Sequence, residues 1–136
     1  MRDDTWLIDR MNNIWSMLFH DYPKKNMVKA RFLGKWKNKF GHIKKLKDGS
    51  TEIVVNGHFK NLDIPEFIID LTLAHEIVHY IHGFNSPYPQ RFKYPHQGNI
   101  VNKELTQRGF GHLIKQEKPW IKNEWTNFIS SLSKEI

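Results

Sequence analysis

The segment from residue 65 to residue 83 constrains the fold more than any other part of the chain. Asp63 is placed as an N-cap, Pro65 suits the first turn of a helix, and Gly83 is a natural stop. Between them, apolar residues recur at helical spacing, at Leu71, Ala74, Val78 and Ile81. The sequence therefore predicts a helix with one stripe packed against a core.

A different stripe of this helix carries His75-Glu76-Ile77-Val78-His79, which has the form H-E-x-x-H. Residues four apart lie on one helical face, so both imidazoles can reach a single metal ion. The glutamate beside the first histidine can take a proton from a water at that ion. The pattern is typical of zinc-dependent peptidases, and it predicts His75 and His79 as metal ligands, Glu76 as the catalytic base and one catalytic Zn²⁺.

A catalytic zinc ion takes three protein ligands and leaves a position for water, so a third ligand is needed. The chain has no cysteine. His96, just ahead of a predicted helix from Asn99 to Phe110, is the first choice, and Glu104 on that helix is the alternative. His82 is rejected because ligands on three successive turns of one helix splay around its axis. The longer motif H-E-x-x-H-x-x-G-x-x-H is absent, since His82 and Asn85 stand where it needs glycine and histidine.

The other elements follow from alternation, helical spacing and turn residues. In chain order they are a helix over 3–20, strands over 28–32, 35–47 and 51–56, a hairpin turn at Asp48-Gly49, a loop over 83–98, a helix over 99–110 and a last helix that opens at Pro119. We therefore expect one domain over residues 1–136 with an α+β fold, in which a small antiparallel sheet of about three strands accompanies the motif helix and flanking helices.

With these elements in place, the chain resembles the SprT-like zinc metallopeptidases, the group that includes the Spartan proteases. The resemblance covers Val28 to Phe110 and rests on the strand-rich stretch with Trp36, the H-E-x-x-H helix and the segment His96-Gln97-Gly98-Asn99-Ile100. That family has a motif like H-G-x-x-F at the late ligand; here the glycine is displaced by one position and Ile100 replaces the aromatic residue. The resemblance implies a zincin-like fold, peptide-bond hydrolysis and His96 as the third zinc ligand.

The chain is also similar to the minimal archaeal gluzincins, which keep a small scaffold and take a glutamate from the later helix as third ligand. In this sequence that glutamate is Glu104. A tail packs into the cleft in those proteins, so a latent enzyme is a further interpretation, with the segment from Pro119 to Ile136 as the tail. Ordinary core packing of this aromatic segment is the simpler alternative.

The chain carries a net charge of +7 and has a sequence pI of about 9.6. Basic residues interleaved with Trp36, Phe40 and His42 crowd the sheet region: Lys24, Lys25, Lys29, Arg31, Lys35, Lys37, Lys39, Lys44, Lys45 and Lys47. This pattern is typical of nucleic-acid binding through phosphate contacts and base stacking, and equally of a solvated lysine-rich surface. SprT-like relatives degrade proteins crosslinked to DNA, which favours a DNA partner. The zinc-ribbon module of some relatives needs cysteine, so this domain itself would make any DNA contact.

We expect a monomer in the cytoplasm that acts on a protein or peptide substrate, because the sequence shows neither a membrane-spanning apolar run nor a signal peptide. Tyr94, Arg108 and His112 are weak candidates for stabilising the oxyanion, and residues 51–56 are a candidate strand for pairing with an extended substrate. The alternative to an enzyme is a non-catalytic zinc-containing protein that binds DNA or an acidic partner. Glu76 argues against that alternative, since a structural site gains nothing from a general base.

Overall fold

The computed structural model describes residues 1–134. Its elements are α1 (Asp4–Leu18), β1 (Val28–Leu33), β2 (Gly41–Lys45), β3 (Thr51–Asn56), a 3-10 turn (Gly57–Lys60), α2 (Glu66–Ile81), a second 3-10 turn (Gln97–Asn99), α3 (Ile100–Leu105), a π-helical turn (Thr106–Phe110), α4 (Gly111–Trp120), a second π-helical turn (Ile121–Trp125) and α5 (Thr126–Lys134). Helices and a small three-stranded sheet together confirm the predicted α+β class.

The three strands form one sheet in the order β1-β3-β2. β2 and β3 are antiparallel, as the hairpin turn at Asp48-Gly49 predicts, whereas β1 runs parallel to β3. The predicted antiparallel sheet is therefore wrong for one of its two pairings. All six residues of β3 are buried, which requires a neighbour on each side and cover on both faces. β3 consequently lies between the other two strands, and β1, which alternates between buried and exposed residues, takes an edge.

The second strand is shorter than the predicted range of 35–47, because residues 34–40 form a loop before β2. The side-chain amide of Asn56, at the end of β3, donates hydrogen bonds to the carbonyl oxygens of Trp36 and Lys39, at 2.7 and 2.9 Å. These bonds hold the loop against the sheet, next to the point where β2 begins.

α2 is the central helix of the fold, since 12 of its 16 residues are buried. It packs on β2 and β3 and contacts α1, α3 and α4. The four apolar residues predicted to face the core, Leu71, Ala74, Val78 and Ile81, are all buried. The prediction of a buried helix carrying the H-E-x-x-H motif is therefore confirmed.

The two longest helices begin differently. Asp3 caps α1 with its side chain, and this helix lies within the predicted range of 3–20. α2 begins at Glu66, with Pro65 in the cap position and no side-chain capping bond, so the predicted N-cap at Asp63 is wrong. Asp63 instead lies in the turn before the helix, where its backbone amide donates to the side chain of Asn61.

The chain after residue 99 is helical on both sides of a kink at Gly109 and contains two π-helical turns. The predicted helix over 99–110 is regular only to Leu105, because the next turn is π-helical and includes Gly109 at a φ of +110°. The predicted start of a new helix at Pro119 is wrong, since Pro119 lies inside α4. Pro119 is exposed, so water can bond to the carbonyl that its missing N–H leaves open.

Candidate metal centre

The three residues of the motif lie in the middle of α2, where the surrounding core fixes the helix. The rings of His75 and His79, one helical turn apart, meet edge to face with centroids 4.8 Å apart. Their Nε2 atoms are 3.1 Å apart. His79 is buried and His75 half-buried, so the pair lies at the boundary between the core and a cleft.

The loop that follows α2 reverses the chain sharply. Gly83 has a φ of +86°, and the amides of residues 83 and 84 donate to the carbonyls of residues 80 and 79, at 3.0 and 2.9 Å. A Cβ atom on Gly83 would lie 2.3 Å from the carbonyl oxygen of Pro89, so a larger residue does not fit without backbone movement. The predicted helix stop at Gly83 is thus confirmed, and the stop also sets the path of the loop.

Further hydrogen bonds hold the loop until it reaches His96. Ser86 Oγ donates to the carbonyl of Tyr80 at 2.6 Å, and the amide of Arg91 donates to the carbonyl of His82 at 2.9 Å. Phe92 packs edge to face on the ring of His82, with centroids 4.9 Å apart. The loop is therefore anchored to the C-terminal end of α2 over much of its length.

His96 completes a triangle with the two histidines of α2. Its Nε2 atom lies 3.2 Å from that of His75 and 3.1 Å from that of His79. Three nitrogens this close could all bind one metal ion. Within residues 1–134, no other group of histidine, cysteine or acidic side chains has ligand atoms arranged in this way. The structure thus brings together the three residues that the sequence predicts as ligands.

Burial favours the form of these histidines that binds metals. Burial, with a smaller effect from the neighbouring His96, lowers the pKa of His75 to about 4. Burial also lowers the pKa of His79 to about 3, helped by His75, His96 and His82. Both rings are therefore neutral at neutral pH, and a neutral imidazole has a free nitrogen lone pair for a metal.

Glu76 is buried beside the triangle, with 5% of its surface exposed. Burial raises the pKa of its carboxyl group to about 8, although the positive charge of Lys39 acts in the opposite direction. Gly41 at the start of β2 lies close to this carboxylate: a Cβ atom built there would be 3.6 Å from Glu76 Oε2. The absence of a side chain at Gly41 lets the strand approach the acid.

A cavity of about 480 Å³ opens beside the metal centre. His75 and Glu76 line one end of it, and the loop before β2 and α3 contribute further walls. The last wall comes from the C-terminal helical stretch through Glu117, Ile121 and Trp125. Ile121 and Trp125 belong to the segment from Pro119 to Ile136 that the latent-enzyme interpretation expects in the cleft, whereas the sequence did not indicate Glu117 as part of the site.

Two interpretations were open for the C-terminal segment: it fills the cleft, or it packs in the core. Its described residues include two core tryptophans. Trp120 and Trp125 are buried, and Trp125 packs edge to face on Phe40 and Phe59, with centroids 5.3 and 5.5 Å apart. Trp125 Nε1 donates to the carbonyl of Lys37 at 2.9 Å, which links this segment to the loop before β2. Within this segment Ile121 and Trp125 line the cavity; residues 135 and 136 lie outside the described part of the chain.

Glu104, the alternative third ligand, is engaged elsewhere. Its carboxylate accepts hydrogen bonds from His82 Nε2 at 3.1 Å and from Arg108 Nε at 3.0 Å. Burial alone would raise the pKa of Glu104, but the bonds from His82 and Arg108 lower it below its ordinary value. Arg108 also forms two bonds to Asp21, at 2.7 and 3.0 Å, so the group links α3 and the π-helical turn after it to the segments that follow α1 and α2.

The weak candidates for stabilising the oxyanion do not line the cavity. Arg108 is held in the ion pairs with Glu104 and Asp21, and Tyr94 and His112 are exposed. The expectation that residues 51–56 pair with a substrate is also wrong, because β3 already has a strand on each side.

The basic residues of the sheet region are partly neutralised. Glu52 lies between Arg31 and Lys44, at 3.2 and 3.3 Å, and Lys29 lies 3.4 Å from Asp48. The interleaved aromatic residues are also engaged. Phe40 packs in the core, and the ring of Trp36, 5.6 Å from that of His42, lies 4.6 Å below the ammonium group of Lys39.

Of the helices described over residues 1–134, none is long and apolar enough to cross a membrane. Comparison of the chain with protein-family models, with curated proteins and with solved structures finds no match. The candidate site therefore stands on its own geometry: three histidine nitrogens within 3.2 Å of one another, with a buried glutamate and a cavity beside them.

Proposed function

We propose that the protein is a zinc-dependent metalloendopeptidase that hydrolyses peptide bonds, with His75, His79 and His96 as zinc ligands and Glu76 as general base. The observation that carries the proposal is a group of three imidazole nitrogens within 3.2 Å of one another, beside a cavity that His75 and the buried Glu76 line. The donor set fits the metal, because Zn–N bonds of about 2.0–2.1 Å in a tetrahedron separate the nitrogens by roughly 3.3 Å. The nitrogens observed here lie 3.1–3.2 Å apart.

A zinc ion held by these histidines would polarise the substrate carbonyl and lower the pKa of a water at its open position. In this proposal Glu76 takes the proton of that attacking water and passes it to the leaving amine. Burial raises the pKa of this carboxyl group in the metal-free protein, and a zinc ion held nearby would lower it again and favour the ionised form that accepts the proton. The buried position of Glu76 also keeps bulk water away from the proton that it carries.

A purely structural metal site is the weaker interpretation. Structural zinc sites are closed by four protein ligands, and the group described in residues 1–134 offers three. A buried carboxylate with a raised pKa is also costly to keep beside a metal that serves only the fold. The open position and the adjacent cavity together favour a site at which a substrate reacts.

The free edge of β2 supports the binding of an extended substrate. The carbonyl of Phe40 accepts a hydrogen bond from the backbone amide of Asn56 and so points towards β3. The carbonyl of Ile43 accepts a hydrogen bond from the side-chain amide of Asn85 and points away from β3. Backbone groups alternate along a strand, so those of residues 41, 43 and 45 face away from β3; because Asn85 occupies the carbonyl of Ile43, a substrate would pair first beside Gly41. Gly41 lies next to Glu76, and we propose that a peptide pairs with this edge through its backbone.

We further propose that the chain is related to the SprT-like metallopeptidases and has a zincin-like fold. The order of a small sheet, the H-E-x-x-H helix and a loop that carries His96 supports this relationship. The engagement of Glu104 with His82 and Arg108 makes the gluzincin pattern the weaker alternative. The lack of cysteine fits a reducing compartment, and we propose the cytoplasm.

DNA is the second partner that we propose, through the side of the molecule that carries the sheet. Lys35, Lys37, Lys45 and Lys47 have no ion pair among residues 1–134 and remain for phosphate contacts. The three paired basic residues of the sheet contribute less, because Asp48 and Glu52 offset them.

The decisive experiment is Glu76→Gln. The variant should bind zinc and fold as the wild type does, but lose hydrolysis of unfolded casein by several orders of magnitude. Zinc content and casein cleavage are measured on the same preparations, with Glu124→Gln, an exposed residue of the C-terminal stretch, as the matched control. Full activity of Glu76→Gln at normal zinc content would contradict the mechanism.

A further inference from the structure

We propose that the cavity beside Glu76 is a specificity pocket for a lysine or arginine side chain of the protein substrate, and that Glu117 selects this side chain. The inference rests on the proposed peptidase function, because it concerns the substrate of the same site. It adds a substrate class and a specificity-determining residue.

The position of the cavity makes it a pocket for a residue near the scissile bond. His75 and Glu76 line it, so a peptide whose carbonyl reaches the metal centre projects a neighbouring side chain into the same space. The volume of about 480 Å³ is ample for one long side chain. The cavity therefore lies where a peptidase distinguishes its substrates.

The walls suit a long aliphatic stem. Phe40, Leu71, Leu105, Ile121 and Trp125 supply apolar lining. Lysine and arginine carry such a stem and bury it against apolar surface while the charged end seeks a polar partner. A short acidic or polar side chain would leave these walls uncovered.

Glu117 supplies the polar partner. Residues three and four positions away along the helix are Leu113, Ile114, Trp120 and Ile121, so Glu117 is an acid within an apolar stripe and no residue at these positions carries an opposite charge. Burial raises the pKa of its carboxyl group, and no described residue lowers it by a hydrogen bond or a charge. A half-buried carboxylate without a partner is costly, and a bound cation offsets that cost.

The two basic residues of the cavity lining do not take this role in the structure. Lys37 and Lys39 belong to the loop before β2, and among the described residues neither lysine forms an ion pair with Glu117. The ammonium group of Lys39 lies 4.6 Å over the ring of Trp36. Glu117 also borders a neighbouring cavity of about 580 Å³, but Lys118 and Lys122 line that cavity too, so the cationic end of a substrate side chain is expected on the side of Glu117 that faces His75 and Glu76.

Binding of side-chain analogues tests the pocket without any hydrolysis. n-Butylammonium reproduces the lysine side chain, and 1-butanol has a similar length without the charge. Titrations of the full chain are followed by NMR at the indole N–H of Trp125, which lines the cavity. Wild type and the control Glu124→Gln should bind n-butylammonium with equal affinity, and Glu117→Gln should bind it about tenfold more weakly or worse, because a charge-assisted hydrogen bond is lost. Equal affinity in Glu117→Gln would overturn the pocket.

Cleavage-site mapping tests the substrate class. The zinc-loaded enzyme is incubated with denatured proteins of diverse sequence, and the sites are identified by mass spectrometry. Lysine or arginine should be enriched at one fixed position next to the scissile bond. Among the bonds that Glu117→Gln cuts, this enrichment should be lost because cleavage beside lysine and arginine slows, and Glu117→Lys should shift the preference towards aspartate and glutamate. Cleavage without this preference, or with an acidic preference in the wild type, would overturn the inference. Absence of all cleavage would contradict the proposed function, and the analogue titration would then decide the pocket alone.

Discussion

At the scale of single residues, the metal centre contains groups whose titrations oppose one another while no metal is bound. His75 and His79 have pKa values of about 4 and about 3, below the ordinary 6.5, so the unfolded chain binds more protons between these values. Glu76 has a pKa of about 8, above the ordinary 4.5, so the folded chain holds its proton more tightly between those values. A metal ion removes both conflicts, because it needs neutral imidazoles and favours an ionised carboxylate nearby.

The stability of the metal-free protein should therefore peak near pH 6.5. Below this pH the two histidines destabilise the fold as pH falls, and they outweigh the single glutamate. Above about pH 6.5, Glu76 is the one of these three groups that still changes its protonation between the folded and unfolded chains. Its stabilising proton is lost as the pH rises towards 8. Thermal unfolding midpoints in EDTA, measured from pH 5 to about 8.5, check this, and Glu76→Gln should abolish the decline above the peak. A midpoint that keeps rising through pH 8 would contradict the assignment.

The third ligand can be distinguished by metal affinity. His96→Ala removes one corner of the histidine triangle and should lower zinc affinity sharply. Glu104→Ala should leave zinc affinity nearly unchanged but destabilise the fold by about 1–3 kcal/mol, since it removes the partner of His82 and Arg108. Zinc titration against a competing chelator and thermal unfolding without metal separate the two effects. Loss of the metal in Glu104→Ala, with normal binding in His96→Ala, would instead indicate the gluzincin pattern.

At the scale of secondary-structure elements, the site depends on the close approach of β2 to α2. A Cβ atom at Gly41 would lie 2.8 Å from Thr72 Cγ2 and 2.8 Å from the carbonyl oxygen of Val54. Neither gap admits a carbon atom, so any larger residue pushes the strand away from the helix. Gly41 thus sets the distance between the edge of β2, where we propose that the substrate binds, and Glu76, which we propose acts on it.

Gly41→Ala should consequently cost roughly 1–3 kcal/mol of stability, as overpacking of a tight contact does. Peptidase activity should fall as well, because the free edge of β2 moves relative to Glu76. The matched control is Gly111→Ala at the start of α4, where the nearest side-chain atom is 3.1 Å from the new Cβ and alanine favours the helix. Thermal unfolding and casein cleavage of both variants test the argument, which fails if Gly41→Ala matches the wild type in both.

Local patterns predict the elements of this chain better than their pairing. The motif helix, its stop at Gly83 and the hairpin at Asp48-Gly49 all depend on neighbouring residues, and the structure confirms them. The parallel pairing of β1 with β3 depends on contacts between strands that are distant in the sequence. Local patterns do not contain this information, because it arises only when the sheet assembles. Glu117 was overlooked for a related reason: a helix break expected at Pro119 hid the apolar stripe that continues across it.

At the scale of the whole molecule, the positive charge and the candidate cleft involve the same part of the fold. The loop before β2 carries Lys37 and Lys39, which line the cavity, and its tip is fixed by Asn56 and Trp125. The exposed lysines at the ends of β2 lie on the same sheet as the proposed substrate edge. DNA held along these lysines would therefore bring a protein attached to it close to the metal centre.

Binding to DNA along this side should fall steeply with salt. The slope of log K against log salt is about −0.9 per phosphate neutralised on a duplex. If several lysines contact phosphates, the affinity for DNA should therefore fall roughly a hundredfold when the salt concentration rises fourfold. Neutralising Lys35, Lys45 and Lys47 together to glutamine should flatten the slope by about 2–3. The charge-matched control, Lys115, Lys118 and Lys122 changed to glutamine on the C-terminal stretch, should keep the wild-type slope. Fluorescence anisotropy with a short duplex at several salt concentrations measures the slope for both triple variants. Weak binding that changes neither with salt nor with these substitutions would contradict the proposal. The lysines would then be a solvated surface, and the peptidase would be recruited by something other than nucleic acid.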